Sequence, residues 1–215
     1  MNILVIAPHG DDEVLGCGGT IPKHIEKGDN LTLCIVTKPW LPKWSQEYID
    51  NRVMETKNSC KELGVKNFIC LDINTTTLDT IPIAELSEKI TKLVKETKPD
   101  IMYIPFYGDM HKDHRSIFEA CLVSSRPFKN KVKKILCYET ITETECGISP
   151  FNPNVYVDIT SYIIRKKNAM KCYKSELFQK PNRRSIDGIV TLAKNRGFEV
   201  NTEYAEAFLL IRELL

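Results

Sequence analysis

Strand-like and helix-like patterns alternate through the first two-thirds of this chain, and that alternation constrains the fold more than any other feature. Residues 3–7 (Ile-Leu-Val-Ile-Ala) form an unbroken apolar run, as a strand buried on both faces does. Pro8 stops it, because proline cannot donate to a sheet ladder. Further strands are expected at 31–37, 67–71, 101–105, 134–139 and 155–159, with a short one at 207–211. Amphipathic helices are expected at 12–27, 46–63, 83–98, 113–124, 160–175 and 183–196. The spacing predicts right-handed βαβ crossovers and an α/β fold: a doubly wound, mostly parallel sheet between helix layers. No linker or repeat divides the 215 residues, so one domain is expected.

Composition narrows the function classes. The formal net charge is +2, which predicts no strong field for nucleic acid or an anionic membrane. No apolar run approaches the ~20 residues of a membrane span, and no basic leader precedes the first strand, so a cytosolic protein is expected. The eight cysteines form no C-x-x-C pair and read as reduced thiols. Cys34, Cys70, Cys121 and Cys137 lie in apolar runs and read as core residues, and Cys17 reads as packing beside an acidic cluster.

That cluster follows the first strand: His9, Asp11, Asp12 and Glu13. The chain has four histidines, and His111 and His114 follow the expected fourth strand in Gly108-Asp-Met-His-Lys-Asp-His114. In a doubly wound sheet the first and fourth strands adjoin where strand order reverses, the place where ligands bind. The remaining histidine, His24, reads as a surface residue. A catalytic zinc takes about three His or carboxylate ligands and keeps an open position. His9, Asp12 and His114 can supply them, leaving Asp11 free to take a proton from a metal-activated water. His111, if protonated, suits oxyanion stabilisation, with Asp113 expected to hold its tautomer and raise its pKa. Zn²⁺ is the expected cofactor, although such a donor set also accepts iron, cobalt or manganese. The glycines at 16, 18 and 19 invite a dinucleotide reading, but they lack G-x-G-x-x-G spacing. Trp40 and Trp44 share a proline-bearing loop, where they either offer an aromatic face to a substrate or anchor the loop.

With these residues in view, the chain resembles the PIG-L/LmbE-like family of zinc-dependent N-deacetylases. Ala7-Pro-His-Gly-Asp-Asp-Glu-Val-Leu-Gly-Cys-Gly-Gly-Thr20 is similar to its A-H-P-D-D-E segment and glycine-rich continuation. His111-Lys-Asp-His114 resembles its H-x-D-H segment, and Arg52-Val-Met-Glu55, running on to Leu63-Gly64, its R-x-x-E…L-G helix. Tyr173-Lys-Ser-Glu176 and Tyr204-Ala-Glu-Ala-Phe208 resemble two weaker C-terminal motifs. The resemblance implies a Rossmann-like (LmbE-like) fold with His9, Asp12 and His114 as ligands. It implies Asp11 as general base, His111 as the partner of the tetrahedral intermediate and Arg52 as a substrate contact. Gly10 and Glu176 depart from the family's proline and glutamine, and Gly10 is expected to loosen its turn.

The expected activity is removal of an acetyl group from an N-acetylglucosamine-type conjugate. The partner is then a small amino-sugar conjugate, with no nucleic acid and no membrane span, and a homo-oligomer is compatible with the sequence. A metal-dependent hydrolase of another bond, such as a phosphoester, and a non-catalytic sugar or nucleotide binder on the same fold are the rivals.

Overall fold

The computed structural model describes residues 1–128 and 130–215. Five parallel strands carry the centre of the sheet: β1 (Asn2–Ala7), β2 (Asn30–Lys38), β3 (Asn67–Asn74), β4 (Ile101–Pro105) and β5 (Lys134–Tyr138). Two further strands, β6 (Val155–Asp158) and β7 (Ala205–Glu213), join antiparallel, and the order is β3-β2-β1-β4-β5-β7-β6. Strand order reverses between β1 and β4, which pair directly.

Alternation along β1 divides the core. Ile3, Val5 and Ala7 face one apolar layer, and Leu4 and Ile6 face the other. The first layer contains α1 (Asp12–Cys17), α2 (Thr20–Glu26), α3 (Gln46–Leu63), α6 (Ile163–Cys172) and α7 (Ile186–Phe198). The second contains α4 (Ile83–Thr97) and α5 (Lys112–Ser124). Helix α3 starts at Ser45, whose hydroxyl accepts from the Tyr48 amide at 3.2 Å, and ends at Gly64 with φ 81°.

The helix expected over 12–27 is two helices, broken at Gly18-Gly19. Pro22 explains the break. Inside one long helix it would remove a hydrogen bond and clash, whereas in the first turn of α2 its missing N–H has no role. At Gly19 a Cβ would lie 2.6 Å from Ile159, so the break also lets the chain pass close to its neighbour. The freed amides of Gly19 and Thr20 donate to the carboxylate of Glu206 on β7, at 2.9 and 2.8 Å. Lys166 on α6 completes the joint, 2.5 Å from Glu206 Oε1, with both side chains only 4% exposed.

Three other expectations change. Cys70 is exposed, because β3 is an edge strand. His24 bridges Asp29 (2.7 Å) and the Tyr103 hydroxyl (2.9 Å) instead of standing free on the surface. The segment expected as a helix over 160–175 is a 3₁₀ turn (Thr160–Tyr162) followed by α6.

Glu206→Ala should be severely destabilising, because it strands a buried ammonium as well as two amides. Breaking a buried pair costs about 3–5 kcal/mol, and the melting temperature should fall on the order of 10 °C. Thermal unfolding followed by circular dichroism measures it, and an unchanged midpoint would contradict the brace.

Candidate active site and metal centre

The first turn after β1 is built under constraint. Asp11 has φ 122° and ψ −31°, an uncommon conformation for a residue with a side chain. Its carbonyl accepts from the amides of Val14 and Leu15, both at 2.9 Å. Its own amide donates to Glu13 at 2.8 Å, and Glu13 is itself held by Tyr173 Oη (2.6 Å) and Ser59 Oγ (3.0 Å). Arg52 on α3 donates to the Gly10 carbonyl. A Cβ at Gly10 would lie 2.7 Å from Thr56 Oγ1, so glycine lets α3 approach where a proline would collide. The turn is therefore clamped, not loosened.

At the end of that turn His9 and Asp12 meet His114, which is delivered from α5 beyond β4. One ligand atom from each lies within 4.8 Å of the others. His9 Nδ1 is 3.2 Å and His114 Nε2 3.3 Å from Asp12 Oδ2. The outward nitrogens are held by carboxylates: His9 Nε2 is 3.0 Å from Asp113 and His114 Nδ1 is 2.7 Å from Asp109. Asp109 in turn accepts from Thr144 Oγ1 at 2.6 Å. Such outer partners orient metal-binding imidazoles and raise their basicity.

The charge balance fits a cation. Burial opposes the charge on His9, but Asp113 and Asp12 outweigh it and raise its pKa to about 9. Burial likewise opposes the charge on His114, and Asp12 and Asp109 raise it to about 10. Burial would raise Asp12, yet the imidazoles hold it well below the usual carboxylate range. Two protons thus stand between the inward nitrogens and one carboxylate, where a divalent ion would replace them.

The expected Asp113–His111 pairing is different in the structure. The Asp113 carboxylate serves His9 and the amides of Thr76 (2.8 Å) and Leu78 (3.3 Å). His111 instead caps α5, its Nδ1 accepting from the Asp113 amide at 3.1 Å. Burial and the neighbouring His9 push His111 down to about 4. Its ring is therefore neutral near pH 7, with its proton on Nε2.

Asp11 is 3% exposed and stands beside the cluster. Burial and the charge of Asp12 push it up to about 8, against the pull of Arg52 and Arg184. Arg184, which sequence reasoning missed, donates to Asp11 Oδ2 and Glu176 Oε2, each at 3.2 Å, and to Thr142. Asp109 was also missed, although it stands in the same polar loop as His111. Glu176 accepts from Tyr48 Oη at 2.9 Å. Arg52 lines the site, but its guanidinium is already engaged with Gly10, Glu55 and Ser175. The two tryptophans part ways. Trp40 Nε1 donates to the Thr75 carbonyl at 3.1 Å, whereas Trp44 lies parallel to Tyr48, with centroids 6.3 Å apart.

These groups open into a cleft of about 440 Å³ lined by His9, Asp11, Asp12, His111, His114, Trp44 and Arg184 among others. A larger groove of about 950 Å³ lies between residues 139–151 and 180–196 and holds none of the candidate ligands.

Residues 4–124 match the profile of the PIG-L family, described as GlcNAc-PI de-N-acetylase. A diacetylchitobiose deacetylase of Thermococcus kodakarensis is 27% identical over 189 residues, covering 81% of this chain and 69% of that one. A probable N-acetyl-α-D-glucosaminyl L-malate deacetylase of Bacillus cereus is 24% identical over 185 residues, covering 81% and 83%. The structure of N,N′-diacetylchitobiose deacetylase from Pyrococcus horikoshii superposes with a TM-score of 0.77 at 24% identity, covering 97% of this chain and 83% of that one.

Removing one imidazole tests the metal centre. His114→Ala should lose most bound divalent metal, measured by plasma emission on dialysed protein, while its unfolding stays cooperative. Full occupancy in that variant would remove His114 from the ligand set.

Proposed function

The chain belongs to the PIG-L family, and on that premise we propose that it is a zinc-dependent N-deacetylase of N-acetylglucosamine-type conjugates, releasing acetate and a free amine. The observation that carries this reading is the convergence of His9, Asp12 and His114 on one cleft beside a buried carboxylate outside that donor set, Asp11. Zinc held by His9, Asp12 and His114 would supply Lewis acidity toward a water and the amide carbonyl, and iron, cobalt or manganese would suit the same donors.

The chain's own residues then divide the work. Asp11 takes the proton of the attacking water and returns it to the departing amine. Burial beside Asp12 raises its proton affinity, which suits a group that must both accept and give back a proton. His111 contributes a neutral Nε2–H donor for the carbonyl oxygen as it gains charge, a role that needs no imidazolium. Asp113 and Asp109 orient the imidazoles of His9 and His114. The parallel pair Trp44 and Tyr48 offers an aromatic face to the sugar ring. Trp40 anchors its loop, and Arg52 holds the His9-Gly10-Asp11 turn.

Other expectations belong to the same reading. The seven strands of the described residues share one sheet, which supports one domain over 1–215. The free cysteines suit a reducing cytosol, and among the described residues no helix is long and apolar enough to cross a membrane.

The decisive assay is acetate release, set against phosphate release, on a panel of N-acetylglucosaminides and phosphoesters. Asp11→Asn keeps the shape of the side chain but not its basicity. It should retain its metal and lose on the order of 10²–10⁴-fold in kcat. An Asp11→Asn protein that arrives without metal would instead make Asp11 a ligand. For the aromatic pair, Trp44→Ala should raise KM, whereas Trp40→Ala should lower the melting temperature; equal KM effects would contradict the division of roles.

A further inference from the structure

The cleft does not end at the polar cluster. On β3, Ile69, Leu71 and Ile73 pack into the layer of α4 and α5. Phe68, Cys70 and Asp72 alternate with them and line the cleft on the opposite face. There α3 leaves the edge strand uncovered. Phe68 is 40% and Val53 48% exposed, although the helix pattern would turn Val53 toward the sheet. Buried Ile35 on β2 also lines the cleft, so Ile35, Val53, Phe68 and Cys70 make an apolar trough continuous with the catalytic cluster.

Two features make this trough part of the substrate site. Its lining joins the polar cluster to the apolar side chains of Ile35, Val53 and Phe68, with Lys38, Lys57 and Asp72 beside them, and a mostly apolar wall with a few polar groups is the usual build of a site that orients one ligand. A volume of about 440 Å³ also falls in the range that holds drug-sized ligands, with room beyond one sugar ring. An acetamido group held at the cluster, with its sugar against Trp44 and Tyr48, leaves the glycosidic substituent to continue along the cleft.

We infer that the trough between α3 and the exposed face of β3 seats the aglycone, and that the preferred aglycone is apolar, an aryl or alkyl group. The inference rests on the deacetylase reading and names the substrate class of that same site. Asp72, paired with Lys38 at 3.2 Å, marks the polar rim of the trough.

The test compares kcat/KM for free N-acetylglucosamine, its phenyl glycoside and its carboxymethyl glycoside. The phenyl glycoside should be preferred over both by on the order of 10-fold or more. In Cys70→Trp, which fills the trough, and in Phe68→Asp, which makes it polar, the phenyl-to-free-sugar ratio should collapse toward one. That ratio does not depend on the fraction of protein that is folded. Equal efficiency on all three compounds, or preference for the carboxymethyl glycoside, would overturn the inference while leaving the deacetylase reading intact. Equilibrium dialysis of the phenyl glycoside separates the two in the other direction. Binding that Phe68→Asp abolishes, without acetate release from any compound, would sink the deacetylase reading and support the seat. A wild-type dimer made monomeric by Phe68→Asp, with no aryl preference, would give the trough to a second copy of the chain and overturn the proposal.

Discussion

A carboxylate buried between two imidazoles has to be neutralised, and much of the polar interior follows from that need. Asp12 is 2% exposed, a position that is tolerable only with opposite charge close by. His9 and His114 supply it, and each passes the demand outward. His9 leans on Asp113, which gathers the amides of Thr76 and Leu78. His114 leans on Asp109, which is met by Thr144. The same cluster therefore organises the loop after β3 and the loop after β5, neither of which contributes a candidate ligand.

Helix α3 meets the other half of the demand. Arg52, Glu55 and Ser59 lie along its buried side and reach the Gly10 carbonyl, Ser175 and Glu13. Two of the weaker motifs find their physical meaning in these contacts. Tyr173 and Ser175 tie the end of α6 to Glu13 and Glu55, and Glu206 closes the joint between α1 and α2. Their side chains support the geometry of the turn, and none of the three lines the cleft.

The strands and the two histidine-bearing loops were legible because the information is local. An apolar run names a buried strand, and in an α/β sheet its end names the site. The parallel β1–β4 pairing brings His9, Asp12 and His114 together as the alternation implied. What was not legible depends on partners remote in sequence. Arg184 meets Asp11 across 173 positions, from the turn before α7, because the helix expected over 183–196 starts only at Ile186. Cys70 sits in an apolar run, but its exposure depends on α3 stopping short of an edge strand, which no window of β3 reports. The direction of the Asp113 carboxylate was equally out of reach, since Asp113 lies between His111 and His114 in sequence yet turns to His9. The break between α1 and α2 was within reach, because Pro22 by itself argues against one continuous helix.

The joint at Glu206 also orders events during synthesis. His9, Asp12 and His114 are translated well before β7, which carries Glu206 and pairs with both β5 and β6. Until β7 arrives, the amides of Gly19 and Thr20 and the ammonium of Lys166 lack their shared acceptor, and the start of α2 has no brace. A growing polypeptide thus presents its imidazoles before the scaffold that arranges them is complete. The arrangement of the three side chains is thus a property of the finished chain.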